Sequence, residues 1–211
     1  MSTESAQVIK PAQPQPAGNQ MSSVDFPYTD LDSSVELAQG VHSAGGMACE
    51  SEQLAAQLGM EAKGGGFRQR INGAKMFGLI TYARGGHVTL TDLGRRLIDS
   101  DKERAARVDA FLTVELYAKV YEQFKGGPLP PQAALERSLV TLGVGEGVKD
   151  KARQVLMRSA KQAGFFEMAA DRLTRPAIKT DHQQSGADEK RPPDDNRKTG
   201  GNGGGGGDHP L

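Results

Sequence analysis

The sequence predicts a mainly α-helical fold that carries one short β-hairpin. Apolar residues with helical spacing recur between Leu31 and Phe77, and two β-branched segments separated by a glycine turn follow them. Further helical patterns then occupy residues 108–163. Few small folds share this order of short helices, a hairpin and another helix start.

The ends of the 211-residue chain differ from its centre. Residues 1–25 and 176–211 are too poor in apolar side chains to offset the entropy of ordering them, so we predict disordered ends, the second of them glycine-rich. The remaining residues are numerous enough for one composite domain. We divide them into a first domain at 26–100 and a helical subdomain at 101–175 packed on it.

Composition excludes several classes of protein. Cys49 is the only cysteine, which rules out an internal disulfide and a cysteine-based zinc cluster. No apolar run approaches the roughly 20 residues of a membrane helix, and the N-terminus lacks the basic and apolar regions of a secretory signal. We therefore expect a soluble, cytoplasmic protein.

Two helices are predicted before residue 60. Leu31, Val35 and Ala38 mark the buried face of the first, and Ser33 and Glu36 have the spacing of a capping box at its start. The second begins near residues 49–52, where acidic residues suit the helix dipole, and ends at residue 59. We interpret Cys49 as a small buried residue without a redox role.

The third helix, predicted at 67–77, separates a core face from a polar face. Phe67, Ile71 and Ala74 follow one another at i, i+4 and i+7 and should face the core. The outward residues are of types that read base edges or bind phosphates. They are Arg68, Gln69, Asn72 and Lys75.

A triple glycine at 64–66 precedes this predicted helix. It is not a phosphate-binding Walker loop, because no Gly-Lys-Ser/Thr follows it. Two interpretations remain: a plain linker, or a site where the backbone approaches a phosphate at the helix N-terminus.

The hairpin is predicted from strand-like residues at 79–82 and 87–90 joined by Ala-Arg-Gly-Gly. Arg84 lies near its tip, where it either contacts a phosphate or is a solvated loop residue. Thr91 should cap the next helix, which runs to residue 98.

Charge is concentrated in this region. The chain has a formal net charge of zero, whereas residues 63–96 contain seven basic residues and one acid, a local net of +6. This asymmetry favours a polyanionic partner, although a basic, solvated helix face is the alternative. The basic residues are Lys63, Arg68, Arg70, Lys75, Arg84, Arg95 and Arg96.

The rest of the chain is predicted to be helical. Val108 and Phe111 mark one helix, Thr113 a break and cap, and Tyr117 and Val120 a second helix whose aromatic stripe belongs to the core. Helices at 133–142 and 148–163 follow. A closing strand at 165–168, paired with 172–174, is expected to end the fold.

The segments MFGLI and VTLTDLGRRLI, with the Gly-Gly hairpin between them, resemble the corresponding part of prokaryotic winged-helix proteins. The likeness covers residues 26–100. It extends less specifically to about Phe166, where the chain is similar to uncharacterised prokaryotic proteins that join a winged helix to a small helical domain. The resemblance implies three helices plus a two-stranded wing, with DNA binding as the commonest role. The triple glycine departs from the tighter connection usual in that superfamily.

The sequence contains no enzyme signature. No recognisable nucleophile set, metalloprotease motif or nucleotide-binding loop occurs, and the histidines at 42, 87, 182 and 209 are scattered. We expect no catalytic role, no metal and no cofactor.

We predict a DNA-binding protein, either a transcriptional or another DNA-associated regulator, whose partner is double-stranded DNA. Arg68, Gln69, Asn72 and Lys75 would read or position the duplex. The phosphate contacts would come from Lys63, Arg84, Arg95 and Arg96. The alternative is a protein-interaction or homodimerisation module that uses the winged helix as a scaffold and contacts its partner through residues 102–163, without DNA binding.

Overall fold

The structure, a computed structural model, describes residues 21–177. Most of the two predicted disordered ends, with His182 and His209, lies outside the described residues. Within 21–177 the chain is mainly helical, as predicted, and carries one small antiparallel sheet. The elements are α1 Leu31–Gly45, β1 Ala48–Glu50, α2 Ser51–Gln57, α3 Gly65–Met76, β2 Ile80–Tyr82, β3 His87–Leu90, α4 Asp92–Ile98, α5 Glu103–Thr113, α6 Glu115–Phe124, α7 Gln132–Thr141, a 3₁₀ turn Glu146–Val148 and α8 Lys149–Gln162.

Helix α1 forms where it is predicted, but its cap differs from the prediction. Asp30 is the N-cap residue, and its Oδ1 accepts hydrogen bonds from the Ser33 backbone N–H at 3.1 Å and from the Ser33 hydroxyl at 2.7 Å. The expected capping box between Ser33 and Glu36 is therefore wrong. An aspartate in extended backbone caps a helix as well as serine does, and here it stands directly before the first helical residue.

Strand β1 is absent from the sequence-based prediction. Cys49 was expected to begin the second helix, but it lies in β1 opposite Val88 of β3, so the sheet has three strands in the order β1-β3-β2. A strand of three residues has no recognisable period and exists because β3 supplies its hydrogen-bond partners. Helix α2 then starts at Ser51, where the Glu50 N–H donates to Gln53 Oε1 at 3.2 Å.

Helix α3 begins earlier than predicted. Gly64 is its N-cap residue, and Gly65 and Gly66 form its first turn, so these two glycines are not a linker. The predicted core face is confirmed, because Phe67, Ile71 and Ala74 are all buried.

The hairpin follows the prediction closely. Ile80 pairs with Leu90 and Tyr82 with Val88, and the Ala83 N–H donates to the His87 carbonyl at 2.9 Å. Thr91 caps α4 as expected, since its Oγ1 accepts from the Gly94 N–H at 3.0 Å.

The later helices pack on the earlier ones and share their core. Helix α5 packs on α4, and α8 packs on α1. The predicted aromatic stripe is core: Phe111 lies 5.0 Å from Tyr117 and 4.6 Å from Phe165, measured between ring centroids, and all three are buried. Thr113 does not cap α6, because its hydroxyl donates back to the Asp109 carbonyl and Val114 separates the two helices.

The predicted closing strand does not form. Residues 165–177 have turns and irregular backbone, held by single hydrogen bonds from the Thr174 N–H to the Phe165 carbonyl and from the Leu129 N–H to the Asp171 carbonyl. One backbone hydrogen bond between the two expected strand segments does not make a ladder, and the buried Phe165 ring packs against Phe111 in the helical core.

Residues 21–25, which the sequence assigns to the N-terminal segment, contact the loop after α7. The Ser23 N–H donates to the Gly143 carbonyl at 2.8 Å, and Val24 is buried. Among the helices of the described part, none has the length and apolar character needed to cross a membrane.

Candidate nucleic-acid interface

The polar face of α3 is exposed along its length. Arg68, Gln69, Asn72 and Lys75 all point away from the core that Phe67 and Ile71 enter. The separation follows from the 3.6-residue period of the helix, which places positions 68, 72 and 75 on a face of their own. The sequence therefore positioned these four side chains correctly, and their role is a separate question.

A groove of about 410 Å³ lies between α3 and the hairpin. Lys63, from the segment before α3, and Arg68 and Asn72, from α3 itself, line one side of it. The hairpin contributes Tyr82, which is 43 % exposed, and the backbone of the two turn glycines. We call this space the hairpin groove. It combines two cations, an amide and an aromatic ring around one concave surface.

A second groove, of about 570 Å³, follows the other side of α3. Gln69, Asn72 and Lys75 line it from the helix, and Asp25 and Tyr28 line it from the segment before α1. Asn72 borders both grooves and so occupies the centre of the exposed face.

The seven basic residues of segment 63–96 differ in whether they form ion pairs. Three are engaged: Arg70 with Glu36 at 3.1 Å, Arg95 with Asp92, and Arg96 with Asp109 at 2.9 Å. The other four make no ion pair with any residue in the 21–177 range and are exposed. They are Lys63, Arg68, Lys75 and Arg84.

The structure does not bring all the predicted phosphate-binding residues together. Arg84 is in the turn whose glycines line the hairpin groove, and Lys63 lines the groove itself. Arg95 and Arg96 lie on α4, which packs on α5, and they line neither groove. Their carboxylate partners also neutralise much of the positive charge that they add to the sequence count.

Two acidic residues outside segment 63–96 line the grooves beside α3. Glu52 lines the hairpin groove, and Asp25 lines the second one. Both precede the 63–96 segment in the chain, so a charge count over that segment omits them. The alternation of acids at the start of α2 was visible in the sequence, but only the packing of α2 beside the hairpin places one of them in the groove.

The hairpin is held against α2 at Gly86. The Ser51 N–H donates to the Gly86 carbonyl at 2.7 Å, and Gly86 has a φ of +92°, which favours glycine. A Cβ at this position would lie 2.5 Å from Ser51 Oγ. The absence of a side chain at Gly86 thus sets the spacing of the hairpin and, with it, the width of the groove.

Cys49 and Tyr117, two further side chains with ionisable groups, are buried. Burial and the neighbouring Glu50 carboxylate raise the pKa of the Cys49 thiol, which disfavours the reactive thiolate. Burial also raises the pKa of Tyr117 well above its usual range. Across residues 21–177 the structure contains no group of three His, Cys, Asp or Glu side chains that could hold a metal ion.

No family model, curated protein or solved structure matches the chain. The function must therefore be argued from the exposed face of α3, the two grooves beside it and the charges that surround them.

Proposed function

We propose that residues 26–100 form a winged helix that binds double-stranded DNA, with α3 in the major groove and the β2-β3 hairpin as the wing. The order α1, β1, α2, α3, β2, β3 supports this assignment, because a winged helix consists of a helix-turn-helix followed by an antiparallel hairpin. In this arrangement β1 is the third strand that joins the hairpin to the helices.

One observation carries the proposal. Four exposed cations that have no ion-pair partner among the described residues surround the face of α3: Lys63 before the helix, Arg68 and Lys75 on it, and Arg84 in the hairpin turn. Cations without protein partners are available to neutralise phosphates, and the release of counterions then favours binding.

The side chains of α3 fit recognition in the major groove, which admits one α-helix. The helix has 12 residues and hence a length of about 18 Å. Asn72, at the centre of the exposed face, is of the type that pairs with an adenine edge, and Arg68 is of the type that pairs with guanine. Gln69 and Lys75 flank Asn72 on the side of the second groove.

The glycines at the start of α3 support a phosphate contact. Gly65 and Gly66 lie in the first turn, where backbone N–H groups have no partner within the helix. They carry no side chains that would keep a phosphate away from these N–H groups. Lys63 lies just before this turn and would contribute a positive charge to the same contact.

Arg95 and Arg96 are a weaker part of the proposal. Each would have to leave an aspartate before it could contact DNA, so we assign the main phosphate contacts to Lys63 and Arg84 and a secondary role to the α4 pair.

The test is the binding of a fluorescein-labelled mixed-sequence duplex by the full chain, measured by anisotropy at several salt concentrations. We expect affinity to fall steeply with salt, and the double variant Arg68→Ala with Lys75→Ala to bind at least about tenfold more weakly. The double variant Lys63→Ala with Arg84→Ala, which removes the assigned phosphate contacts, should make the slope of log K against log salt shallower by about two.

The matched control is Arg137→Ala with Lys151→Ala. These two cations are exposed on α7 and α8, make no ion pair in the part of the chain that the structure describes, and line neither groove beside α3. If this control and the double variant of Arg68 and Lys75 lose duplex affinity equally, binding depends on the overall charge of the protein and not on the face of α3. Failure of the intact chain to bind duplex at low salt would contradict the proposal.

That negative outcome would leave the role of a protein-interaction or dimerisation module. Within residues 102–163, Phe111 and Tyr117 are buried in the core and cannot provide the contact surface. Light scattering of the full chain would then show whether the protein forms a dimer at all.

A further inference from the structure

A third groove, of about 730 Å³, runs along α8, and none of its lining residues lines either groove beside α3. One wall is the face of α8 on which Arg153, Met157 and Lys161 follow one another at i, i+4 and i+8. The opposite wall is the irregular segment after the helix, including Phe166 and Glu167. We call this space the α8 groove.

The floor of the α8 groove is apolar and is formed by one side chain from each of the two walls. Met157 and Phe166 are partly buried, with one side of each packed against the core and the rest open to the groove. Methionine is flexible and polarisable and adapts to different apolar partners. Met168, two residues after Phe166 in the chain, is 78 % exposed. The floor could therefore accept an apolar side chain from a partner.

The rim of the α8 groove is predominantly cationic. Arg158 contacts Asp30 at 3.3 Å, yet its side chain is 57 % exposed, so several of its five N–H donors face solvent. Lys161 makes no ion pair within residues 21–177. Arg153 is held by Glu136 at 2.9 Å and is only 19 % exposed, so it contributes less.

The single carboxylate of the rim is already neutralised. Glu167 forms an ion pair with Arg104 of α5. Lys161 is thus the rim cation that has no ion-pair partner among the described residues, and Arg158 adds an exposed guanidinium that shares its charge with Asp30.

We propose that the α8 groove binds an acidic peptide segment of a partner protein that carries an apolar anchor side chain. Carboxylates of the segment pair with Lys161 and Arg158, and the anchor packs on Met157 and Phe166. The groove is open along its length, which suits a peptide chain better than a small ligand that needs to be enclosed. This site is independent of DNA binding, because it uses a different surface.

The dimensions of the α8 groove agree with such a segment. From Arg153 to Lys161 this face of α8 spans eight residue steps, or about 12 Å of helix. That length matches about two helical turns of a peptide or about four residues of extended chain. A segment of this size presents two or three acidic side chains and one or two apolar ones to the groove.

The probe is a fluorescein-labelled peptide of roughly ten residues, made of glutamate and aspartate with one Leu-Phe pair, titrated with the full chain. We expect saturable binding that falls about tenfold in Lys161→Glu and in Met157→Gln. A second peptide, in which Leu-Phe is replaced by Ser-Ser, should bind about tenfold more weakly than the first.

The control is Arg137→Glu, which reverses an exposed cation on α7 that does not line the α8 groove, and it should change peptide affinity less than about twofold. Lys161 is exposed and outside the core, so Lys161→Glu should fold normally, and thermal melts of each variant check this. Lys161→Glu should also leave duplex binding within about twofold, whereas Lys75→Glu should weaken duplex binding and spare the peptide.

The proposal is overturned if the intact chain shows no saturable binding, if Lys161→Glu and Met157→Gln bind like the unaltered chain, or if the two peptides bind equally. Loss of peptide binding in Lys75→Glu would indicate that the peptide binds at α3, and it would overturn the proposal as well. Self-association of the chain that Lys161→Glu abolishes would overturn it in favour of a second copy as the occupant.

Discussion

The surface formed by α3 with the hairpin and the surface formed by α4 with α5 both carry arginine, but in opposite electrostatic states. On the first, Arg68 and Arg84 are exposed and unpaired within the described residues. On the second, Arg96 is paired with Asp109, and Arg107 contacts Asp32 at 2.5 Å and Glu103 at 2.8 Å. One surface leaves its arginines exposed to solvent, whereas the other uses its arginines to join helices.

The difference shows why a local charge count is a poor measure of a binding surface. Asp109 and Asp32 lie in other elements than the arginines that they neutralise, and Asp32 is 75 residues distant from Arg107. The field at the surface depends on these tertiary pairs as much as on sequence composition. The four predictions below test the contrast, beginning with the largest expected effect.

Of the four predicted changes, Gly86→Ala in the hairpin beside α3 should have the largest effect on the free energy of unfolding. Its Cβ would meet Ser51 Oγ in a backbone conformation that side chains rarely adopt, so we expect a loss of about 2–3 kcal/mol in the free energy of unfolding and weaker duplex binding. Gly127→Ala, where a Cβ meets nothing within 4 Å, is the control and should be close to neutral. Urea denaturation measures both. Equal stability of the two variants would mean that the hairpin is not held at Gly86.

Arg107→Met should cost about 1–2 kcal/mol of stability without changing duplex affinity. Burial lowers the pKa of Arg107, but the hydrogen bonds to Asp32 and Glu103 outweigh it and raise the pKa above its usual value. The matched variant Arg68→Met, on the unpaired surface, should do the reverse, with less than about 0.5 kcal/mol lost and clearly weaker duplex binding. Thermal melts measure the loss of stability, and fluorescence anisotropy measures the change in duplex affinity. If both variants lose stability alike, the contrast between the two surfaces is wrong.

The ion pair between Asp30, before α1, and Arg158 of α8 predicts a pH dependence of stability; like the pairs of α4 and α5, it joins two parts of the fold. Burial raises the pKa of Asp30, but hydrogen bonds from Ser33 and the Arg158 guanidinium lower it below the ordinary value of 3.8. The resulting stabilisation is present above that value and disappears as pH falls through the lower folded pKa. Asp30→Asn keeps a capping side chain and should lose about 0.5–1 kcal/mol at neutral pH. Urea titrations between neutral and acidic pH should show the two proteins converging at low pH, and a constant difference would contradict the assignment.

Asp92→Asn combined with Asp109→Asn should produce the smallest effect. Removing the two carboxylates frees Arg95 and Arg96 of α4, so duplex affinity should rise about two- to threefold at low salt. Asp150→Asn combined with Asp171→Asn, which removes the same number of negative charges from α8 and the segment after it, is a control for net charge. An equal rise in both proteins would show that α4 lies away from the DNA.

Much of the fold could be predicted from local patterns. The periodicities of α1, α3 and α8, the hairpin turn and the Thr91 cap all depend on residues a few positions apart, so a single segment contains the information. Strand β1 and the irregular segment after α8 could not be predicted in this way. The first exists through pairing with a strand that begins 37 residues later, counting from Glu50 to His87, and the second lacks a neighbouring strand.

The candidate site, like the fold, could be predicted from the sequence only in part. The sequence placed Arg68, Gln69, Asn72 and Lys75 on one exposed helix face, because helical spacing alone determines which side chains share a face. It did not show that Asn72 would border two grooves or that Glu52 would enter one of them.

By itself, then, the sequence determined the helical character of the chain, the hairpin, the core stripe and the polar face of α3. The tertiary structure decided which cations remain unpaired, how far the hairpin stands from α3, and that α8 has a groove of its own. The physical reason is the range of each interaction. Periodicity and capping act over one or two helical turns, whereas ion pairs and grooves require residues from distant elements to be brought together.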